Sequence, residues 1–235
     1  AGIADTKHNF SSGSGNNATT DTGEICIFCH TPHGADNGAP VPLWNKVLTT
    51  STFSTYDQLG TSTLDAGVLN VGSVSLACLT CHDGTQAIDN IINAPGSGGF
   101  AADGGAEGGL SWAWTSASNN LDATGLFTSL ASGNIANIGT DLTNDHPIGV
   151  QYGGGGVSNG VTLTNDEDFV TPIQVTGINR WYVDNPTNGT TGSFDKWDFK
   201  LYTRDTGAES FRNVATTTAG APEPFVECGS CHDPH

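Results

Sequence analysis

The sequence predicts a mostly irregular, loop-rich fold with short helices around three cysteine motifs and a small inserted β-meander. Three observations carry that expectation. Glycine takes 32 of the 235 residues, and Ser, Thr and Asn crowd most of the loops. All six cysteines fall into short motifs at 26–30, 78–82 and 228–232. The long interval 85–227 holds no motif and contains the only convincing strand signals.

In chain order, the motif-bearing segments 1–34 and 70–84 read as loops and single helical turns. The stretches 95–109 (PGSGGFAADGGAEGG) and 152–160 (YGGGGVSNG) cannot build helix or central strand, because glycine loses too much backbone entropy there. Strand candidates are 161–164, 168–178, 180–183 and 197–203, with a turn near Asn188-Gly189. Trp181, Trp197, Phe199 and Tyr202 are assigned to the meander's core or to packing against a cofactor. Residues 228–235 close the sequence on the third motif.

Charge narrows the function classes. Twenty-four acidic residues stand against seven basic ones, a net −17, and the few cations form no basic run. That composition argues against nucleic-acid binding and against adsorption to anionic lipid. No stretch approaches the ~18 apolar residues of a membrane-spanning helix. The opening at Ala1 and the lack of any Met fit a mature product whose export signal has been removed.

The motifs are Cys26-Ile-Phe-Cys29-His30, Cys78-Leu-Thr-Cys81-His82 and Cys228-Gly-Ser-Cys231-His232. From the Cys and His frequencies, about 0.005 matches to CxxCH arise by chance. Three occur, and no cysteine is left over. This is the pattern of c-type haem attachment, in which two thiols add to the vinyl groups of one porphyrin and the adjoining His ligates its iron. Structural zinc, disulfides and a redox dithiol leave the His after every second Cys unexplained. The expected fold class is therefore a multihaem cytochrome c with three haem c groups in a single domain, 1–235. Residues 1–84 would carry haems 1 and 2, and 228–235 haem 3.

Seven histidines are present. His30, His82 and His232 are taken as proximal iron ligands, leaving His8, His33, His146 and His235 for the opposite faces. With no Met to offer, bis-histidine ligation of low potential is the default. His33 and His235 each lie three residues beyond a proximal ligand, too near to reach the far face of that haem, so each would serve a neighbour. Four candidates for three irons leave one spare. We assign His8, His33 and His146 as distal ligands and His235 as the spare. Pro147 biases His146 toward extended backbone, projecting its ring from a loop. Asn9, Asn17 and Asn188 head glycosylation sequons.

Four fragments resemble a family of extracellular, filament-forming multihaem cytochromes of metal-reducing microbes. They are Lys7-His8-Asn9-Phe10-Ser11, Glu24-Ile25-Cys26-Ile27-Phe28-Cys29-His30-Thr31-Pro32-His33, Asn144-Asp145-His146-Pro147-Ile148 and the closing Cys231-His232-Asp233-Pro234-His235. Members with four or six haems polymerise into filaments that conduct electrons along a haem stack; this chain has three motifs. The resemblance implies identical subunits joined head to tail, with His8 ligating a haem of the next subunit, haem 3. The stretch Ser11–Asn17 then serves as a flexible arm.

Three functions follow as expectations. The first is electron transfer within an extracellular or cell-surface filament, with redox partners or extracellular acceptors beyond it. The second is a monomeric periplasmic electron shuttle. The third is a multihaem oxidoreductase, which needs an iron with an open position. The number of spare histidines argues against that, so the chain is read as no enzyme.

Overall fold

The computed structural model describes residues 2–61, 63–64, 66–95, 99, 112–116, 120–129, 133–154, 166, 168–178, 180–205, 208–209, 212 and 222–235. The chain divides into two discontinuous compact units. One comprises Ala1–Thr52, Leu76–Thr140 and Pro234–His235; the other comprises Phe53–Ser75 and Asp141–Asp233.

In the first unit, strand β1 (Ala18–Thr19) pairs antiparallel with β2 (Thr115–Ser116). Around them, aromatic side chains replace a regular core. Phe28 lies edge-on to Phe10 (5.7 Å between centroids) and Trp112 (5.3 Å), and Ile88, Ile91 and Leu121 complete the cluster. Helix α1 (Ser73–His82) supplies the second cysteine motif, and Leu79 and Thr80 are fully buried. It stops at Gly84, whose φ of 73° is left-handed and whose Cα is closely approached by the Asn137 amide. A side chain there would meet both the backbone penalty and that amide.

The second unit is a five-stranded antiparallel sheet in the order β3-β7-β6-β5-β4. Its strands are β3 (Val150–Gln151), β4 (Ile173–Gln174), β5 (Arg180–Val183), β6 (Phe199–Asp205) and β7 (Pro222–Val226). Alternation along β5 and β6 puts Trp181 opposite Leu201, and these pack with Tyr152 on one face. Arg180, Tyr182, Lys200 and Tyr202 take the other face. The unit ends in α2 (Cys228–Cys231), a single turn closed by a reciprocal cap between Glu227 and Ser230.

This corrects the expected fold class. Among the described residues there are only two α-helices, and the largest regular element is an antiparallel sheet, not a small inserted meander amid haem-wrapping helices. Of the strand candidates, 180–183 coincides with β5, 197–203 begins two residues early, and only 173–174 of 168–178 pairs. Candidate 161–164 lies outside the described residues. Strand β7 escapes notice in the sequence because Pro222 and Pro224 argue against a central strand. Among the described residues β3 pairs with Phe225 and Val226 and with neither proline, so that pairing does not call on their missing N–H groups. Trp197, expected in the meander's core or against a cofactor, is 53% exposed and so lies outside the core, and the Lys196 ammonium sits 4.7 Å over its ring.

Arg204 anchors the second unit. Its guanidinium donates to Glu227 (2.7 Å), Glu209 (3.0 and 2.5 Å) and the Asn70 carbonyl (2.8 Å). Ser75 donates to the other Glu227 oxygen (2.5 Å) and accepts from the Cys228 N–H (2.9 Å), so this network grips the third motif. The Glu227 side chain is fully buried. Removing its cation strands a charge in the interior, so Arg204→Ala is expected to cost about 3–5 kcal/mol of stability in denaturant unfolding. The Arg204→Met/Glu227→Gln pair, which removes both charges, should cost less.

Candidate functional site

Each cysteine motif folds as one helical turn. His30 N–H donates to Cys26 O (2.8 Å), and His232 N–H to Cys228 O (3.0 Å); the middle motif lies within α1. A helical turn brings residues three apart to the same face, so the two thiols of a motif stand together with the His at the turn's end. The six thiols form no disulfide. Burial pushes the Cys29 thiol up to about 12, with Cys81 adding to the rise and Lys46 opposing it. Burial also raises Cys81, again against Lys46. Among the described residues no three His, Cys, Asp or Glu side chains gather as a metal-binding group.

Each motif histidine faces a second imidazole. His82 lies 6.2 Å from His8, His30 lies 6.0 Å from His235, and His232 lies 5.9 Å from His146, centroid to centroid. The ring planes cross at 79° in the first pair and at 20° and 23° in the others. Metal–nitrogen bonds of about 2 Å on both sides of one iron would put two ring centres roughly 6 Å apart. The first two pairs belong to the first unit and the third to the second unit.

Local bonds explain the pairings. His30 Nδ1 is 2.7 Å from the Pro42 carbonyl, and His82 Nδ1 is 2.7 Å from the Ala136 carbonyl. Each contact makes Nδ1 the protonated nitrogen and leaves the Nε2 lone pair for a metal. Thr6 donates to the Pro234 carbonyl (3.3 Å) and accepts from the His8 N–H (3.3 Å), which ties the His235 and His8 segments together. His146 and the third motif meet because both lead from one place in the sheet. Gly149 N–H donates to Val226 O (2.9 Å), three residues after His146 and two before Cys228.

Two histidines stand elsewhere than the sequence assignment expects. His235, taken as the spare, stands opposite His30. His33, taken as a distal ligand, is exposed at the tip of a loop whose flanks are pinned by Thr31 N–H to Leu43 O and Asp36 N–H to Trp44 O, both 2.9 Å. The identical spacing of CHTPH and CHDPH gave no means of telling them apart. His8 pairs with His82 of its own chain, and the expected flexible arm is fastened. Asn16 Nδ2 donates to the Thr6 and Asn9 carbonyls (2.8 and 2.9 Å), and Ser12 N–H to Thr22 O (2.6 Å). The buried Asn9 amide is itself engaged, donating to Ala4 O and accepting from Ser11, which disfavours a glycan there in the folded chain. His146 faces His232, as a distal ligand would.

Compared with known proteins, the chain matches no family model and no curated sequence.

Burial lowers the His8 pKa from its ordinary 6.5, and His82 and His235 push the same way. A lowered folded value means that neutral His8 stabilises the fold above pH 6.5, and that this is lost as pH falls through the folded value. His8→Ala is therefore expected to flatten the acid limb of the stability–pH curve below about pH 6.5. An unchanged limb would place the acid sensitivity elsewhere.

Proposed function

We propose that this chain carries three covalently attached c-type haems and transfers electrons. The observation that carries the reading is that six of the seven histidines form three opposed pairs, each joining one CxxCH histidine to one histidine from elsewhere. Nothing in a core-packing account requires all three motif histidines to acquire a second imidazole at the same separation. Haem, when bound, supplies one-electron exchange at its iron.

The residues have separable roles. Cys26 and Cys29, Cys78 and Cys81, and Cys228 and Cys231 hold the porphyrins through thioethers. His30, His82 and His232 ligate from the motif side, and His235, His8 and His146 from the other. The Pro42 and Ala136 carbonyls orient the rings of His30 and His82 and make their Nε2 atoms stronger donors. Phe127, 5.3 Å from the His82 ring and inclined by 22°, restricts its rotation. Two imidazoles per iron favour low potential and leave no open coordination position, which supports a carrier over an oxidoreductase.

Assembly is the finer part of the reading. Pairing within one chain removes the need for a neighbour's His8 and favours a self-contained carrier, as in the shuttle alternative. The family resemblance supports an extracellular or cell-surface setting with identical subunits as partners. Negative-stain micrographs of the holoprotein decide between filament and discrete particle.

Intact mass is expected to exceed the polypeptide by three haems and to survive acid–acetone extraction; a bare-chain mass would overturn the reading. EPR of the oxidised protein should show only low-spin iron. Crossed axial rings at His8/His82 should give one highly anisotropic signal, and the near-parallel rings two rhombic ones. His235→Ala should turn one rhombic signal high-spin while His33→Ala leaves all three unchanged; the opposite result would restore His33 as the ligand.

A further inference from the structure

Lys46 is fully buried, and its ammonium donates to three main-chain carbonyls: Ala87, Ile88 and Asn90, each at 3.0 Å. Three acceptors require three N–H groups, which only the charged form possesses. Among the described residues no carboxylate pairs with it. An interior cation neutralised by dipoles alone is costly, and an apolar or amide side chain could fill the same space more cheaply.

Its location gives it a use. The segment 45–51 runs from the first motif to the second. Asn45 N–H donates to Cys29 O (2.9 Å), and its side chain donates to Ile27 O (2.7 Å). Thr49 N–H donates to Thr80 Oγ1 within the second motif (3.2 Å). Thr49 Oγ1 and Ser51 Oγ donate to Asp83 Oδ2 (2.6 and 3.0 Å). Thr85 supplies two more bonds, from N–H (2.9 Å) and Oγ1 (2.7 Å), to Oδ1. Asp83 is buried, directly follows His82, and has four donors on two oxygens, the environment of a fixed carboxylate. One interior cation therefore lies between the two motifs, and one interior anion adjoins the second alone.

Resting on the three-haem reading, we propose that Lys46 raises the reduction potentials of haems 1 and 2 together while Asp83 lowers that of haem 2. Haem 1 then becomes the electron sink of the first unit. With haems bound, His82 and His8 would hold the donor iron, and His30 and His235 the acceptor iron, of a one-electron exchange that needs no proton. A positive charge in a low-dielectric interior favours the reduced state of a nearby iron, and a negative charge the oxidised state. Because both charges are buried, salt screens them little.

The test is a potentiometric titration of the holoprotein followed by EPR, with haem 2 identified by its highly anisotropic signal and three haems verified by mass in every variant. Lys46→Gln and Lys46→Met are expected to lower the potential of haem 2 and of at least one rhombic haem. The change in reduction equilibrium should be tenfold or more, 59 mV for one electron. It should persist at high salt, and Lys46→Arg should leave the potentials near wild type. Unmoved potentials with three haems retained would overturn the proposal. Should the Lys46 variants fail to fold, Asp83→Asn decides: a raised haem 2 potential supports it, and an unchanged one sinks it. Absence of haem from the wild-type mass would instead remove the three-haem reading itself.

Discussion

A second imidazole about 6 Å from every motif histidine is the constraint on which the rest of this structure depends. It requires three distant parts of the chain to converge on three short turns. Residues 2–8 and 234–235 must run together, which the Thr6 contact to Pro234 secures. The 141–149 loop must stand beside the third motif, which the bond from Gly149 to Val226 secures. The sheet contributes by holding β7 rigidly, so that one strand end positions both a CxxCH turn and the loop presenting its partner. Arg204, Glu227 and Ser75 then fix that turn through two charge-assisted bonds to Glu227 and one from the Cys228 N–H to Ser75.

Legibility in the sequence followed the range of the interactions. The CxxCH turns are local, and their helical form is legible from their spacing. So is the loop at His146, because Pro147 marks it. The choice between His33 and His235 is not local: both follow a motif by three residues, and only the 43–44 backbone clamps the first outward. His8 is a candidate ligand from the sequence, but whether its loop reaches outward or folds back depends on side-chain amides. Asn9 and Asn16 have the composition of a linker and here make the bonds of a structural turn. The fold class failed for a related reason. A central strand with two prolines is legible only once its short partner is known, and β3 is two residues long.

Polar side chains perform much of the work that aliphatic packing does in larger cores. Asn45, Lys46, Thr49, Thr80 and Asp83 are all buried in the first unit, and each is satisfied by main chain or hydroxyl partners. A buried polar group with its full set of bonds specifies position more narrowly than an apolar one, since a shift of an ångström breaks bonds whose loss costs about 1–3 kcal/mol each. That matters where two motifs must keep a fixed separation. The 45–51 segment is therefore a spacer between the two motifs as well as the bearer of a buried cation.

On this reading the cofactors and the fold stabilise each other. The iron–histidine bonds would join segments remote in sequence, 8 to 82, 30 to 235 and 146 to 232, and each such link removes conformations from the unfolded chain as a long-loop cross-link does. Ligation requires neutral imidazoles, so the bonds that fix His30 and His82 as single tautomers, and the burial that keeps His8 neutral, favour binding and folding together. A chain with 32 glycines and few aliphatic clusters gains more from such links than a core-rich protein would. The pairing within one chain then carries a consequence for assembly. Were every iron completed internally, as proposed, subunit contacts would need to contribute no ligand, and haem binding and association would be separable events. Dilution would dissociate subunits without changing the spin state of any iron, whereas a joint made by an iron–His8 bond would couple the two.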